Sequence, residues 1–70
     1  MKETITNQVY DLRTKFNITQ ETLAEAVGVT RQTIISIEKG NYTPSVVLAL
    51  KIAKLFKKSV ENIFQIKYEK

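Results

Sequence analysis

The sequence contains no cysteine and no histidine, and it has a single proline, two glycines and one aspartate, Asp11. Without cysteine the chain forms no disulfide and offers no thiolate. Without histidine it lacks the usual general base and the commonest metal ligand, and one aspartate does not supply a carboxylate-rich metal cage. These absences argue against an enzyme, a bound metal or another cofactor, and they leave binding as the expected activity.

Long apolar runs are also missing. No segment approaches the roughly 18 apolar residues of a membrane span, and the first six residues, MKETIT, contain no apolar signal core. We therefore expect a soluble cytoplasmic protein that does not bind a membrane, and no small-molecule ligand is evident. The 70 residues, 43% hydrophobic and 26% charged, suit one small domain spanning 1–70. A domain of this size is marginally stable unless a partner adds burial.

The charge is unevenly placed along the chain. The net charge is +4, which suits an anionic partner such as nucleic acid. Residues 1–40 sum to zero, however, and the excess lies in residues 41–70. It includes a stripe of lysines along and just after the predicted fourth helix: Lys51, Lys54 and Lys58. Solubility is the commoner explanation for such a stripe, and long-range steering toward DNA is the lesser one.

Apolar spacing and capping residues predict five helices, at 7–16, 20–27, 31–39, 46–56 and 60–64. Thr19, Thr30, Ser45 and Ser59 are the expected N-caps, and Gly28 and Gly40 end the second and third helices. In the fourth helix the buried stripe is expected to be Val46, Ala49, Leu50, Ala53 and Phe56. From Phe64 onward the C-terminal tail alternates apolar and polar residues, which is the periodicity of a strand. Lys2 to Thr6 also contains residues that favour a strand, so the two ends are expected to pair as a small antiparallel ribbon.

Residues 20–39 carry the functional signal. Two short helices are separated by a turn containing Gly28, and apolar residues fall where the helices must touch: Leu23, Ala24, Val27, Val29, Ile34 and Ile37. This is the helix-turn-helix arrangement. Its first helix braces across DNA phosphates, and its second lies in the major groove and presents its N-terminal side chains to base edges.

The motifs TQETLA at 19–24, VGVTRQTI at 27–34, IEKG at 37–40 and PS at 44–45 resemble the phage Cro/cI-repressor-like (XRE) helix-turn-helix family. The resemblance covers residues 7–64 and leaves 65–70 as a C-terminal extension. It implies an all-α, compact five-helix domain that binds operator DNA as a dimer. Two positions differ from the family pattern. Lys57 and Lys58 follow the fourth helix, where the family often has Gly and Val, and Ile35 stands where the family commonly has a polar residue.

The DNA contacts expected from helix chemistry and from the resemblance lie on the second and third helices. Arg31 can donate to guanine and Gln32 can bond adenine; Gln20 begins a helix whose free N–H groups suit a phosphate. The alternative for all three residues is that they are solvated side chains at a helix end with no role in binding. Ile35 either packs on thymine methyls or covers a side pocket. Thr33 and Ser36 are further candidates for contacts with DNA. Thr30 is expected to act first as an N-cap and second as a hydrogen-bond donor to a phosphate.

The resemblance also implies roles for residues outside these two helices. The loop after the third helix follows the sugar–phosphate backbone in the family, which makes Lys39, Asn41, Tyr42 and Thr43 candidates; Tyr42 is alternatively a half-buried anchor. Arg13 pairs with Glu38 in the family pattern, and a buried carboxylate needs such a partner. Five C-terminal apolar residues either cover the core or join two subunits: Val60, Ile63, Phe64, Ile66 and Tyr68.

The expected function is therefore that of a sequence-specific regulator that binds a palindromic operator in double-stranded DNA as a homodimer and represses by occupying it. A dimer whose subunits meet through the fifth helix and the tail would place the two third helices, which contact the bases, about 34 Å apart. This distance is one turn of DNA. The alternative is an antitoxin or accessory protein whose domain mainly binds a partner protein. RNA binding is the weaker third reading, because no aromatic stacking platform is evident.

Overall fold

The computed structural model describes residues 2–69, so Met1 and Lys70, at the ends of the predicted domain, lie outside it. The elements are β1 (Lys2–Asn7), α1 (Val9–Lys15), α2 (Gln20–Val27), α3 (Arg31–Glu38), α4 (Val46–Phe56), α5 (Val60–Ile63) and β2 (Phe64–Glu69). All five predicted helices are present, and each ends within one residue of its predicted end. No helix among the described residues is both long and apolar enough to cross a membrane.

Short-range hydrogen bonds explain why the helices begin where they do. The hydroxyls of Thr19, Thr30 and Ser45 accept from the backbone N–H three residues ahead, at 3.0, 3.3 and 3.1 Å. Each such cap contributes about 1 kcal/mol. Ser59 occupies the N-cap position of α5 but its side chain makes no capping bond.

The chain ends pair as a two-stranded antiparallel sheet, which confirms the predicted ribbon and corrects the all-α fold class. β1 pairs with β2 in a register that places Ile5 opposite Ile66 and Asn7 opposite Phe64. The sheet explains why α1 begins at Val9 and not at Asn7. Asn7 ends the strand, its Oδ1 accepts from the Val9 N–H at 3.1 Å, and its Nδ2 donates to the Ile37 carbonyl at 3.0 Å.

One hydrophobic core joins the five helices, and it corrects the predicted buried stripe of α4. Ala49, Ala53 and Phe56 are buried as expected, but Val46 and Leu50 are 76% and 55% exposed. The helix turns so that Leu48 and Ile52 take their place in the core. The reason is that α4 is apolar around much of its circumference, so periodicity alone did not say which arc faces inward.

A left-handed backbone conformation at Lys57 ends α4. Its φ is 56° and ψ is 44°, and the Lys58 N–H donates to the Ala53 carbonyl at 3.0 Å. This is the C-terminal turn that glycine adopts most easily, and a side chain here costs roughly 1 kcal/mol. Lys57 therefore adopts a backbone conformation that favours glycine, at an energetic cost.

We predict that Lys57→Gly stabilises the domain by about 1 kcal/mol, because glycine enters this conformation without a Cβ clash. In a domain of this length that change raises the melting temperature by roughly 4–8 °C, measurable by circular dichroism. Lys58→Gly is the matched control, because Lys58 is equally exposed and has no positive φ; it should leave the melt unchanged or lower it. A Lys57→Gly melt at or below the wild-type value would contradict the prediction.

Candidate nucleic-acid interface

α3 is held against α2 by its inner face, which leaves its outer face free. Ile34 and Ile37 are fully buried in the core that also contains Leu23 and Val27 of α2. The turn between the helices is closed by Gly28 in the left-handed conformation, with φ 77°, while the Val29 N–H donates to the Ala24 carbonyl at 3.0 Å. The side chains at the outer face and N-terminus of α3 are thereby fixed in direction.

The predicted base-reading residues lie on that outer face. Arg31 and Gln32 are exposed, and Ser36 is half-buried one turn further on. Gln32 Nε2 lies 3.5 Å from Ser36 Oγ, so the two residues share a face as their spacing predicts. Thr33 and Ile35 are half-buried. The hydrogen-bonding side chains of Arg31, Gln32 and Ser36 therefore lie on the part of α3 that is open to solvent.

Thr30 is positioned mainly as a cap. Its hydroxyl accepts from the Thr33 N–H at 3.3 Å and lies 3.1 Å from the Thr33 hydroxyl. One of these hydroxyls retains hydrogen-bonding capacity toward solvent, because each has one donor and two acceptor positions. A role as phosphate donor remains compatible with the capping bond.

The loop after α3 is fastened to the helix end before it runs over the surface. The Gly40 N–H donates to the Ile37 carbonyl at 3.0 Å and the Asn41 N–H to the Ser36 carbonyl at 2.9 Å. The four residues predicted to contact the sugar–phosphate backbone of DNA all have exposed side chains: Lys39, Asn41, Tyr42 and Thr43. Tyr42 is 47% exposed and lines a cleft beside β1, so it can anchor the loop and still present its hydroxyl outward.

Arg13 of α1 and Glu38 of α3 form the predicted ion pair. Arg13 Nε donates to Glu38 Oε2 at 2.7 Å and Nη2 donates to Oε1 at 3.3 Å, with the two side chains only 12% and 7% exposed. The hydrogen bond to Glu38 raises the pKa of the Arg13 guanidinium above its ordinary value, against the opposing effect of burial. The pair therefore favours the charged guanidinium, a form that arginine keeps at neutral pH even without this effect.

The structure adds one contact that sequence reasoning missed. Gln20 Nε2 donates to Glu38 Oε1 at 3.1 Å, so a predicted phosphate contact is bonded to the structural ion pair. Gln20 and Arg31 also line one open cleft together with Thr19, Glu21 and Arg13. Nothing in the local sequence indicates the Gln20–Glu38 bond, because 18 residues separate the partners and only the packing of α2 on α3 brings them together.

The fold and this surface define a helix-turn-helix domain. Residues 9–63 match the family model described as "Helix-turn-helix", and the chain belongs to that family. Its members are transcriptional regulators, and the expectation that the chain is not an enzyme agrees with this membership.

Relatives and a solved structure agree with the assignment. The chain is 52% identical over 63 residues to the uncharacterized HTH-type transcriptional regulator YgzD of Bacillus subtilis, covering 90% of this chain and 96% of that protein. It is 55% identical over 58 residues to an HTH-type transcriptional regulator of Methanocaldococcus jannaschii, covering 83% and 88%. The restriction-modification controller protein C.AhdI of Aeromonas hydrophila is 31% identical with a TM-score of 0.72, over 79% of this chain and 83% of that one.

We predict that Glu38→Ala destabilises the domain by about 3 kcal/mol, because it leaves the largely buried Arg13 guanidinium without its partner. The melting temperature should fall by roughly 12–24 °C, measured by thermal unfolding at neutral pH. Glu25→Ala, which removes an exposed carboxylate on α2, is the control and should change the melt little. An unchanged Glu38→Ala melt would show that the pair contributes nothing to stability.

Proposed function

We propose that the chain is a sequence-specific regulator that binds double-stranded DNA with α3 in the major groove. The observation that carries this proposal is the outward presentation of Arg31 and Gln32 at the start of a helix whose other face is fixed by Ile34 and Ile37. Arginine and glutamine reach guanine and adenine by paired hydrogen bonds, each worth about 1–3 kcal/mol of discrimination. Ser36 and Thr33 extend the same surface along the groove.

Phosphate contacts on both sides of α3 fix the domain on the duplex in this proposal. Gln20 and the N-terminus of α2 bind one strand, and Lys39 with the loop residues Asn41, Tyr42 and Thr43 follows the backbone at the other end of α3. Lys51 and Lys54 lie beside the C-terminal end of α2 and Gly28. They add positive potential near the turn and steer association.

We further propose that the protein works as a homodimer on a palindromic operator in the cytoplasm and represses by excluding the polymerase. Of the five C-terminal residues expected at the contact, Ile63 is fully buried in the monomer core, and Val60 and Phe64 are half-buried against it. Ile66 and Tyr68 are 53% and 59% exposed. The contact between subunits is therefore centred on the sheet and not on α5.

The sheet continues into the exposed side of α4. Ile5 lies opposite Ile66 and lines an apolar groove with Phe64, Val46 and Leu50. We call the surface formed by Ile5, Val46, Leu50, Ile66 and Tyr68 the apolar face. It holds five of the nine large exposed apolar side chains found among the described residues. A standard dimer contact buries about 800 Å² per partner, roughly a sixth of the 5012 Å² surface of this chain.

The apolar face borders the predicted DNA surface. Thr43 lines the apolar groove, and it belongs to the loop that follows the phosphate backbone in the proposal. Two copies joined through the apolar face would therefore bring their loops close to the twofold axis. The two α3 helices would then flank the axis, as a palindromic operator requires.

The DNA-binding proposal is tested by selecting bound sequences from a random double-stranded pool. Gln32→Ala should lose the preference at one base pair per half-site, because it removes a base-edge contact. Gln20→Ala should weaken binding to all sequences about equally, and Gln65→Ala on β2 is the matched control expected to have no effect.

Salt dependence separates this function from the alternative. The logarithm of the affinity should fall with the logarithm of the salt concentration by about 0.9 per phosphate contacted. If the wild-type protein binds no double-stranded DNA even at low salt, the proposal fails and a domain that mainly binds a partner protein is favoured.

The dimer is tested with Leu50→Glu, which places a charge on the apolar face without touching the core. We expect wild-type protein at micromolar concentration to sediment as a dimer of the 8.0 kDa chain and Leu50→Glu to sediment as a folded monomer. Val47→Glu is the control, because Val47 is 62% exposed on the same helix and lies outside the face. A monomeric wild type, or a dimeric Leu50→Glu, refutes the proposed contact.

A further inference from the structure

Three groups donate to a single, nearly buried carboxylate at the end of α3. Glu38 Oε2 accepts from Arg13 Nε at 2.7 Å, and Oε1 accepts from both Arg13 Nη2 at 3.3 Å and Gln20 Nε2 at 3.1 Å. Arg13 Nη1 also donates to the Ile18 carbonyl at 3.0 Å, just before α2 begins. Glu38 therefore acts on the N-terminus of α2 by two routes, one through Arg13 and one directly to Gln20.

The direct route fixes the orientation of the Gln20 amide. An ionised carboxylate only accepts hydrogen bonds, so the amide nitrogen of Gln20 must face Glu38. One of its two N–H groups is used there and the other remains available. The first-turn backbone N–H groups of Gln20 and Glu21 have no partner within α2, and they belong to the same turn as the side chain that Glu38 holds.

We propose that Glu38 is a positioning residue for the DNA interface, which holds Gln20 in the conformation that meets a phosphate. The proposal rests on the proposed DNA-binding function and assigns Glu38 a role in affinity beyond its role in stability. A side chain that is already ordered loses less conformational freedom on binding. Releasing Gln20 should therefore weaken binding about threefold to tenfold, equally for all DNA sequences.

The test needs a variant that removes the acceptor without unfolding the domain. Arg13→Met with Glu38→Met replaces both charges by apolar side chains of similar length, an exchange that buried ion pairs often tolerate without loss of stability. Circular dichroism first establishes that this double variant is folded at the assay temperature. DNA affinity is then measured for the wild type, the double variant, Gln20→Ala and the triple variant, on one selected duplex and one unrelated duplex.

The expected result is that the double variant binds both duplexes threefold to tenfold more weakly, and that this loss disappears in the Gln20→Ala background. The control repeats the cycle with Gln32→Ala, which should add to the double variant because Gln32 does not contact Glu38. If the loss persists undiminished beside Gln20→Ala, Glu38 acts only through the fold and the inference is overturned while DNA binding stands. If Gln20→Ala itself has no effect on affinity, the inference is also overturned.

A readout without DNA keeps the inference testable if the protein binds none. The side-chain amide of Gln20 should be ordered in the free wild-type protein by ¹⁵N relaxation and should become as mobile as the exposed side-chain amide of Asn62 in the double variant. A Gln20 amide that is already mobile in the wild type overturns the inference independently of the proposed function.

Discussion

The Glu38 carboxylate is the interaction on which the arrangement of α1, α2 and α3 depends. A charge that is only 7% exposed must be compensated by hydrogen-bond donors, because desolvation without them costs several kcal/mol. Arg13 reaches it from α1 and Gln20 from α2. These directed bonds add a requirement on orientation to the close packing of the apolar core. The carboxylate thus ties α1 and the start of α2 to the end of α3, while the buried Ile34 and Ile37 fix which side of α3 faces outward.

Features decided by neighbouring residues were predictable from the sequence. The caps at Thr19, Thr30 and Ser45 and the left-handed Gly28 depend on contacts within three or four residues, and the structure has them where they were expected. The Arg13–Glu38 pair was predictable only through the family resemblance, since spacing does not reveal it.

Features decided by the packing of distant elements were not predictable. Val46 and Leu50 were assigned to the core because α4 offers two apolar arcs, and only the positions of the sheet and the other helices select between them. The Gln20–Glu38 bond requires α2 to lie on α3 at a particular angle. The pairing of Lys2–Asn7 with Phe64–Glu69 is the exception among long-range features, because the strand periodicity of the two ends predicts it. Only the all-α class leaves the sheet out.

The sheet joins segments that are nearly the whole chain apart, since Ile5 pairs with Ile66. Bringing such distant segments together carries a loop-closure entropy that the helices, built from local contacts, do not bear. We therefore expect the helical body to form first and the terminal strands to zip together last, and to separate first under mild stress. Ile5, Ile66 and Tyr68 come together only in that final step, so the surface of the proposed dimer contact would be complete only when folding is complete.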